Sequence, residues 1–396
     1  MKLNQGQKLR GLLLLALIVG LTGLSNQIKA DTGSCGGVTI TLPFNDVMAS
    51  PFFCQIAAAY FSGLTNGTGD GTTYSPTQTV TREQMAAFIS RTMDQSLKRG
   101  SQRAVAKKWW TPQDVNSLTL TNVGDDPEQV VFDGTDLWVS NNTTDTVMRI
   151  RPSDGKVIET WTGATEAWGI VAAMGKIFIT SSRSPGRLYM IDPAQPAGVV
   201  TTLTTSLGNI PIGIAFDGSR IWTANRGGSI SIISLNPTSV TTVSTGFIQP
   251  VGMLYDGSNI WVTDQAANTL LKLNSDGSIA QSISISSPGF PVFDGINIWV
   301  PGASLTVVRV KDANGNPLAS AFVLATLADN GLAAAFDGER ILVTHGSGNS
   351  VSLWKASDLT PLGSFPTGTN TTPLSACSDG LNFWITLEAA DKLARF

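Results

Sequence analysis

Seven residues are best placed to do chemistry, each directly following a recurring aromatic strand: Asn141, Ser181, Asn225, Asp264, Gly302, His345 and Leu387. Lined up, they give a mixed polar set with one carboxylate and one imidazole. Arg183 and Arg226 follow closely and suit an anionic ligand. Asp264 with Asn141 and Asn225 offers oxygen ligands to a hard divalent cation, and His345 offers an acid–base group. Plain turn chemistry competes with both and outweighs them, because Asn, Asp and Gly are what tight turns require, as in Asn225-Arg226-Gly227-Gly228. Composition narrows the choice further. A single His excludes a multi-histidine metal site within one chain. His345 has no acid beside it in Thr344-His345-Gly346-Ser347-Gly348, and Gly302 and Leu387 bring no polar side chain to the set. No G-x-S-x-G, paired-Cys motif or Gly-rich phosphate loop stands in a convincing context. These residues point to binding rather than catalysis, with no cofactor expected beyond a divalent cation where the loops converge.

The elements that must position this set are read from a repeat. A turn dipeptide precedes each aromatic strand: Asp133-Gly134 with Trp138, Met174-Gly175 with Phe178, Asp217-Gly218 with Trp222, Asp256-Gly257 with Trp261 and Asp294-Gly295 with Trp299. Asp337-Gly338 with Leu342 and Asp379-Gly380 with Trp384 complete the series, and successive copies lie 41, 43, 39, 38, 43 and 42 residues apart. A proline stands six positions before the turn Asp in five copies: Pro127, Pro211, Pro250, Pro288 and Pro373. Asp-Gly is expected to supply both central residues of a hairpin turn, each at positive φ. Each unit then reads as four strands, in the third copy roughly 213–216, 220–224, 229–235 and 240–244. Four strands in about 40 residues, repeated seven times, specify an all-β fold, a seven-bladed β-propeller. The last copy stops after its third strand at Phe396, and an orphan strand, 117–121, precedes the first. That orphan is expected to pair beside Lys392–Phe396 and close the ring, and the aromatic residues are expected to pack between adjacent blades. Strands this short, at a regular beat, argue against an outer-membrane barrel.

The stretches Pro211-Ile212-Gly213-Ile214-Ala215-Phe216-Asp217-Gly218 and Ile260-Trp261-Val262-Thr263-Asp264 resemble the broad group of propellers that contains YVTN-type, NHL-type and virginiamycin B lyase-like proteins. The resemblance covers 117–396 and implies the architecture. It also implies an alternative activity, metal-dependent lyase or lactonase chemistry, for which this chain offers His345 alone among imidazoles.

The N-terminal part reads differently. Lys2, Lys8 and Arg10 precede an apolar run from Gly11 to Leu24 and a polar stretch ending at Ala30, the order of a secretory signal peptide. The run is shorter than the roughly 20 residues a membrane-spanning helix needs. Removal of 1–30 takes away four basic residues and moves the formal charge from −3 to −7. With 42% hydrophobic and 14% charged residues, neither disorder nor nucleic-acid coating is expected. Three Cys do not make a disulfide framework; Cys35 and Cys54 could join in an oxidising compartment, leaving Cys377 on an inner strand.

Residues 42–94 read as a small helical module. Phe44-Asn45-Asp46-Val47 leads into a helical stretch, Phe52 to Phe61, closed by Ser62-Gly63. A polar loop reaches Tyr74-Ser75-Pro76, and Val80-Thr81-Arg82-Glu83 opens a second helix running to about Lys98, capped by Thr79 or Thr81. This order, with Gly63-Leu64-Thr65-Asn66-Gly67 and Asp70-Gly71 between, resembles the S-layer homology (SLH) module, present here once. The resemblance implies attachment to peptidoglycan or a linked cell-wall polymer, with Asp46 and Arg82 at the contact; a guanidinium suits an anionic polymer. Lys98, Arg99, Arg103, Lys107 and Lys108 form a basic stretch that reads as a solvated linker. The expected organisation is therefore a signal peptide at 1–30, an SLH-like module at 31–98, a basic linker at 99–116 and a propeller at 117–396. The expected protein is extracytoplasmic and associated with the cell envelope, with no transmembrane span after cleavage and no nucleic-acid partner. Its propeller would present a scaffold to a protein, glycan or small ligand, through Asn141, Arg183, Asn225, Arg226, Asp264 and His345.

Overall fold

The structure is a computed structural model that describes residues 30–35, 38–61, 65–89, 119–311 and 317–396. The signal segment and the basic stretch lie outside the described residues. The chain divides into two compact units, Met1–Gly100 and Ser101–Phe396.

In the second unit, seven four-stranded antiparallel sheets follow one another, one per repeat. Blade 1 runs through Pro127–Phe132, Leu137–Asn141, Thr146–Arg151 and Lys156–Thr162, and blade 3 through Pro211–Phe216, Ile221–Asn225, Ser229–Leu235 and Thr238–Val243. Blade 7 takes three strands from the C-terminus, Pro373–Ser378, Phe383–Leu387 and Lys392–Arg395. Its fourth is Thr119–Asn122, which pairs antiparallel from Thr119↔Arg395 to Asn122↔Lys392. The ring is thus closed by a ribbon from upstream of the first blade, so neither terminal sheet keeps an open seam.

Seven apolar clusters lie one at each junction between neighbouring blades. Trp138 packs on Ile177, Ile179 and Tyr189 of blade 2, and Phe178 on Ile214, Ile221 and Ile233 of blade 3. Trp222, Trp261 and Trp299 repeat the arrangement onto blades 4, 5 and 6. Leu342 packs on Phe383 and Ile385, and Trp384 crosses from blade 7 to Val130, Leu137 and Val139 of blade 1.

The Asp-Gly turns differ from the expectation. Only the glycine takes a positive φ (Gly134 98°, Gly218 95°, Gly257 89°), so glycine is the first central residue and Asp precedes it. The reason is the Asp side chain. Asp133 Oδ1 accepts the backbone N–H groups of Thr135 and Asp136 at 2.8 Å each, and Oδ2 accepts the Trp138 indole N–H at 2.7 Å. Asp217, Asp256, Asp294 and Asp379 hold Trp222, Trp261, Trp299 and Trp384 at 2.7–2.8 Å in the same way. Where the indole is missing, the partner changes: Asp337 binds Arg340 Nε at 2.8 Å in the Leu342 copy. In the Phe178 copy the acid is replaced by Met174, whose turn alone has both residues at positive φ (52° and 69°). Burial works against the Asp217 charge, but the Trp222 indole and the Arg220 and Ser219 amides overcome it and hold the carboxyl at about 2.

The first unit contains a hairpin the sequence did not announce, Asp31–Cys35 paired with Val38–Leu42, and a helix, Phe53–Phe61. Cys35 and Cys54 are joined by a disulfide, with Cα atoms 5.6 Å apart. Residues 82–89 are helical. Thr81 caps them reciprocally, accepting from Gln84 N at 3.2 Å while Gln84 Oε1 accepts from Thr81 N at 2.9 Å. No helix among the described residues is long and apolar enough to cross a membrane.

Candidate functional site

Antiparallel pairing fixes which end of each blade carries the candidate residues. First strands begin where second strands end: Pro127 pairs with Asn141, Pro211 with Asn225, Pro250 with Asp264 and Pro373 with Leu387. The Asp-Gly turns lie at the opposite end. One face of the ring therefore gathers the start of every first strand and the turn that follows every second strand, hereafter the mouth face.

The candidate ring residues are brought to that face, and Asn141, Asn225 and Asp264 bond back to their own blades. Asn141, Ser181, Asn225 and Asp264 are fully buried. Asp264 accepts the N–H groups of Ile248, Gln249 and Ala267 at 2.7, 2.9 and 3.0 Å, tying two loop segments together. Asn225 donates to Ser229 and Ser231 and accepts from Thr223. Asn141 donates to Thr146 Oγ1 at 3.1 Å. His345, 5% exposed, contacts Asp329 O through Nδ1 at 3.1 Å and Ser352 Oγ through Nε2 at 2.8 Å. Burial lowers its pKa, so the ring is neutral at pH 7 with both nitrogens engaged. Arg183 pairs with Glu166 at 2.9 Å on the surface, and Arg226 is exposed. In the first unit, Asp46 accepts from the N–H groups of Tyr74 and Ser75 at 2.9 and 2.7 Å, joining the two motif segments that carry the resemblance there. Arg82 is exposed at the start of the 82–89 helix.

Hydroxyl groups missed by sequence reasoning tie the mouth face together. Thr263 Oγ1 accepts Gly252 N at 2.9 Å within blade 4 and donates to Gly289 O of blade 5 at 2.8 Å. Thr344 bridges Ala333 N and Leu374 O, and Thr386 bridges Ser375 N and Glu128 O across the ring closure. Ser140 takes the same position between blades 1 and 2. The signal was the Thr of the Ile-Trp-Val-Thr stretch, two residues after the Trp. The glycine of Pro211-Ile212-Gly213 has a matching role, since a Cβ there would collide with Val251 O of the next blade.

The residue after each Pro-type strand start is Glu128, Trp168, Ile212, Val251, Gly289, Leu332 and Leu374 in blades 1 to 7. Glu128 is the one acid in this otherwise uncharged series. It is 2% exposed, and its Oε2 is buried without a hydrogen-bond partner. Burial, with the charges of Asp126 and Glu388, pushes its pKa up to about 9. Glu388 is itself raised, first by burial and then by the charge and a hydrogen bond of Asp126. Comparing this position across the seven copies is the sequence operation that finds Glu128.

On the opposite face, a pocket of about 400 Å³ lies between the turns of blades 1 and 2, lined by Asp133, Arg149, Met174 and Lys176 among others. Its charges are internally matched, Arg149 with Asp136 and Glu159 and Lys176 with Asp192. Among the described residues, no three His, Cys, Asp or Glu side chains are grouped so as to hold a metal ion.

No family model matches the chain. No curated protein matches it either. Solved structures do. A virginiamycin B lyase from Staphylococcus aureus superposes with a TM-score of 0.58 at 18% identity, over 70% of this chain and 98% of that one. Hydrazine synthase of Kuenenia stuttgartiensis gives 0.58 at 15% identity, over 72% and 97%. A streptogramin B lyase gives 0.57 at 14% identity, over 72% and 99%. At these identities the likeness is one of fold: a seven-bladed β-propeller. Two of these three proteins are lyases, and one bears a different enzyme name on the same architecture, so the fold does not carry the chemistry.

Proposed function

We propose that this is an extracytoplasmic, envelope-associated binding protein, in which an SLH-like unit attaches to cell-wall polymer and the propeller presents a rigid interaction platform. The observation that carries the platform reading is the internal commitment of three mouth-face side chains. Asp264, Asn225 and His345 hold loops in place, and loops held this way offer preorganised contacts to a partner without further ordering cost. The attachment reading rests on the ordered motif from Phe44 to Glu83, on Asp46 linking its halves, and on the exposed Arg82. Export is supported by the charged, apolar and polar order of residues 1–30 and by the Cys35–Cys54 disulfide.

Sedimentation of the mature chain with purified cell-wall sacculi tests attachment. Wild type is expected to co-sediment, and a variant lacking 31–100 is expected to stay in solution. Equal sedimentation of the two would reject the role given to the first unit.

A lyase reading follows from the fold likeness alone. A neutral His345 with both nitrogens engaged is poorly placed to take a proton from a substrate. Incubation with a streptogramin or a lactone, with and without Mg²⁺ or Ca²⁺, is expected to give no turnover. Turnover that His345→Ala abolishes would replace the platform reading with the enzyme one.

A further inference from the structure

We infer that the pocket between the turns of blades 1 and 2 binds an uncharged sugar residue of a glycan. It opens where the repeat departs from itself. Six copies place an Asp ahead of the turn glycine, and the second places Met174 there, with Met174 and Gly175 both at positive φ (52° and 69°). That turn and the Asp133 turn of blade 1 border a cavity of about 400 Å³, within the roughly 300–1,000 Å³ of small-ligand sites. Met174 brings a half-exposed apolar side chain where the other copies bring a carboxylate, and Ala173 and Pro193 extend the apolar wall.

The polar groups of the wall select the ligand. Arg149 is held from three sides: Asp136 takes its Nε at 2.8 Å and its Nη2 at 2.7 Å, Glu159 takes Nη1 at 3.3 Å, and the guanidinium lies 5.3 Å from the centre of the Trp138 ring. Lys176 Nζ pairs with Asp192 Oδ2. Asp133 accepts the N–H groups of Thr135, Asp136 and the Trp138 indole. Each charged group of the wall is thus already opposed or hydrogen-bonded, so an incoming ion of either sign would have to displace a partner. Hydrogen-bonding capacity is nevertheless left over. An ammonium has three N–H donors, more than the Asp192 contact uses, and a carboxylate has about four acceptor sites, more than Asp133 fills. What fits is a molecule without net charge, whose groups both donate and accept and which has an apolar face for Met174, Ala173 and Pro193. A sugar ring is such a molecule, because its hydroxyls do both and its C–H bonds form the face. The wall is fixed by its own ion pairs before a ligand arrives, so little further ordering opposes binding.

The site lies on the face away from the mouth, goes beyond the platform reading and owes nothing to the first unit. Calorimetric titration of the mature full-length chain with lactose, maltose, cellobiose and N,N′-diacetylchitobiose tests it, with glucuronic acid and glucosamine as anionic and cationic comparators. Saturable binding of at least one of the four neutral sugars is expected, with neither charged comparator bound more tightly. Lys176→Met, which removes a donor, and Thr135→Trp, which fills the cavity from its exposed edge, should each weaken that binding at least ten-fold. Both positions reach solvent, and the melting transition of each variant shows that it is folded. No saturation by any neutral sugar, or tighter binding of a charged comparator, would overturn the assignment. Sugar binding that either variant keeps at full strength would remove it from this pocket and leave the mouth-face platform reading standing.

Discussion

Glu128→Gln should make the propeller more stable, and by an amount that depends on pH. A carboxyl at about 9 in the folded chain, against an ordinary value of 4.5, is protonated when folded and ionised when unfolded across the neutral range. Its protonated form contributes stability that is complete below about pH 4.5 and drains away as pH rises towards 9. Between pH 5 and pH 8 the loss amounts to about 4 kcal/mol, from 1.36 kcal/mol per unit of differential ionisation. That figure is a ceiling, because Asp126 and Glu388 share the same field and relax as Glu128 ionises. Gln keeps the shape and the hydrogen-bonding capacity and has nothing to ionise. The gap between variant and wild type should therefore be small at pH 5 and wide at pH 8, about 8 °C in melting temperature at roughly 2 °C per kcal/mol for a domain of this size. Calorimetric melts of both proteins at pH 5, 6, 7 and 8 measure it. Parallel curves would refute the claim that an uncompensated carboxyl is buried at the ring closure.

Deleting residues 119–122 removes the fourth strand of blade 7, with the bonds from Thr121 Oγ1 to Gly155 O (2.7 Å) and from Arg395 to Thr119 (3.1 Å). A lower, still single melting transition is expected, and an unchanged one would contradict the closure. Thr386→Val strips both a donor to Glu128 O and an acceptor for Ser375 N, and chemical denaturation should show a loss of about 2 kcal/mol. Trp222→Phe removes the indole donor that helps hold Asp217 at about 2. Because that lowered pKa stabilises the fold above about pH 4 and ceases to as pH falls through 2, the deficit of the variant should shrink on acidification. A deficit constant from pH 7 to pH 2 would show that the indole bond and the carboxylate are not coupled.

The sequence by itself determined the architecture. Seven turn-plus-strand units, six of them with an aromatic, at spacings of 38–43 residues, one blade short of a strand at the C-terminus and one strand in excess before the first unit, leave a closed ring as the consistent arrangement. These features are local and periodic, so a linear reading captures them. The same reading placed Asn141, Asn225, Asp264 and His345 at turns on one face, where pairing with the start of the first strand puts the first three and pairing with Ser350 of the third strand puts His345. Which way their polar atoms point is a tertiary matter. Asp264 faces the loop amides of its own blade, and His345 reaches across to Asp329 and Ser352. The role of the turn Asp was half legible: Asp-Gly announces a hairpin, but the carboxylate's bond to an indole five residues on appears only when the second strand folds back over it. The Asp126, Glu128 and Glu388 junction was not legible along the chain at all. Its residues come from the two ends of the propeller, and only the pairing of Thr119–Asn122 with Lys392–Arg395 brings their carboxyls into one low-dielectric neighbourhood where charge becomes costly.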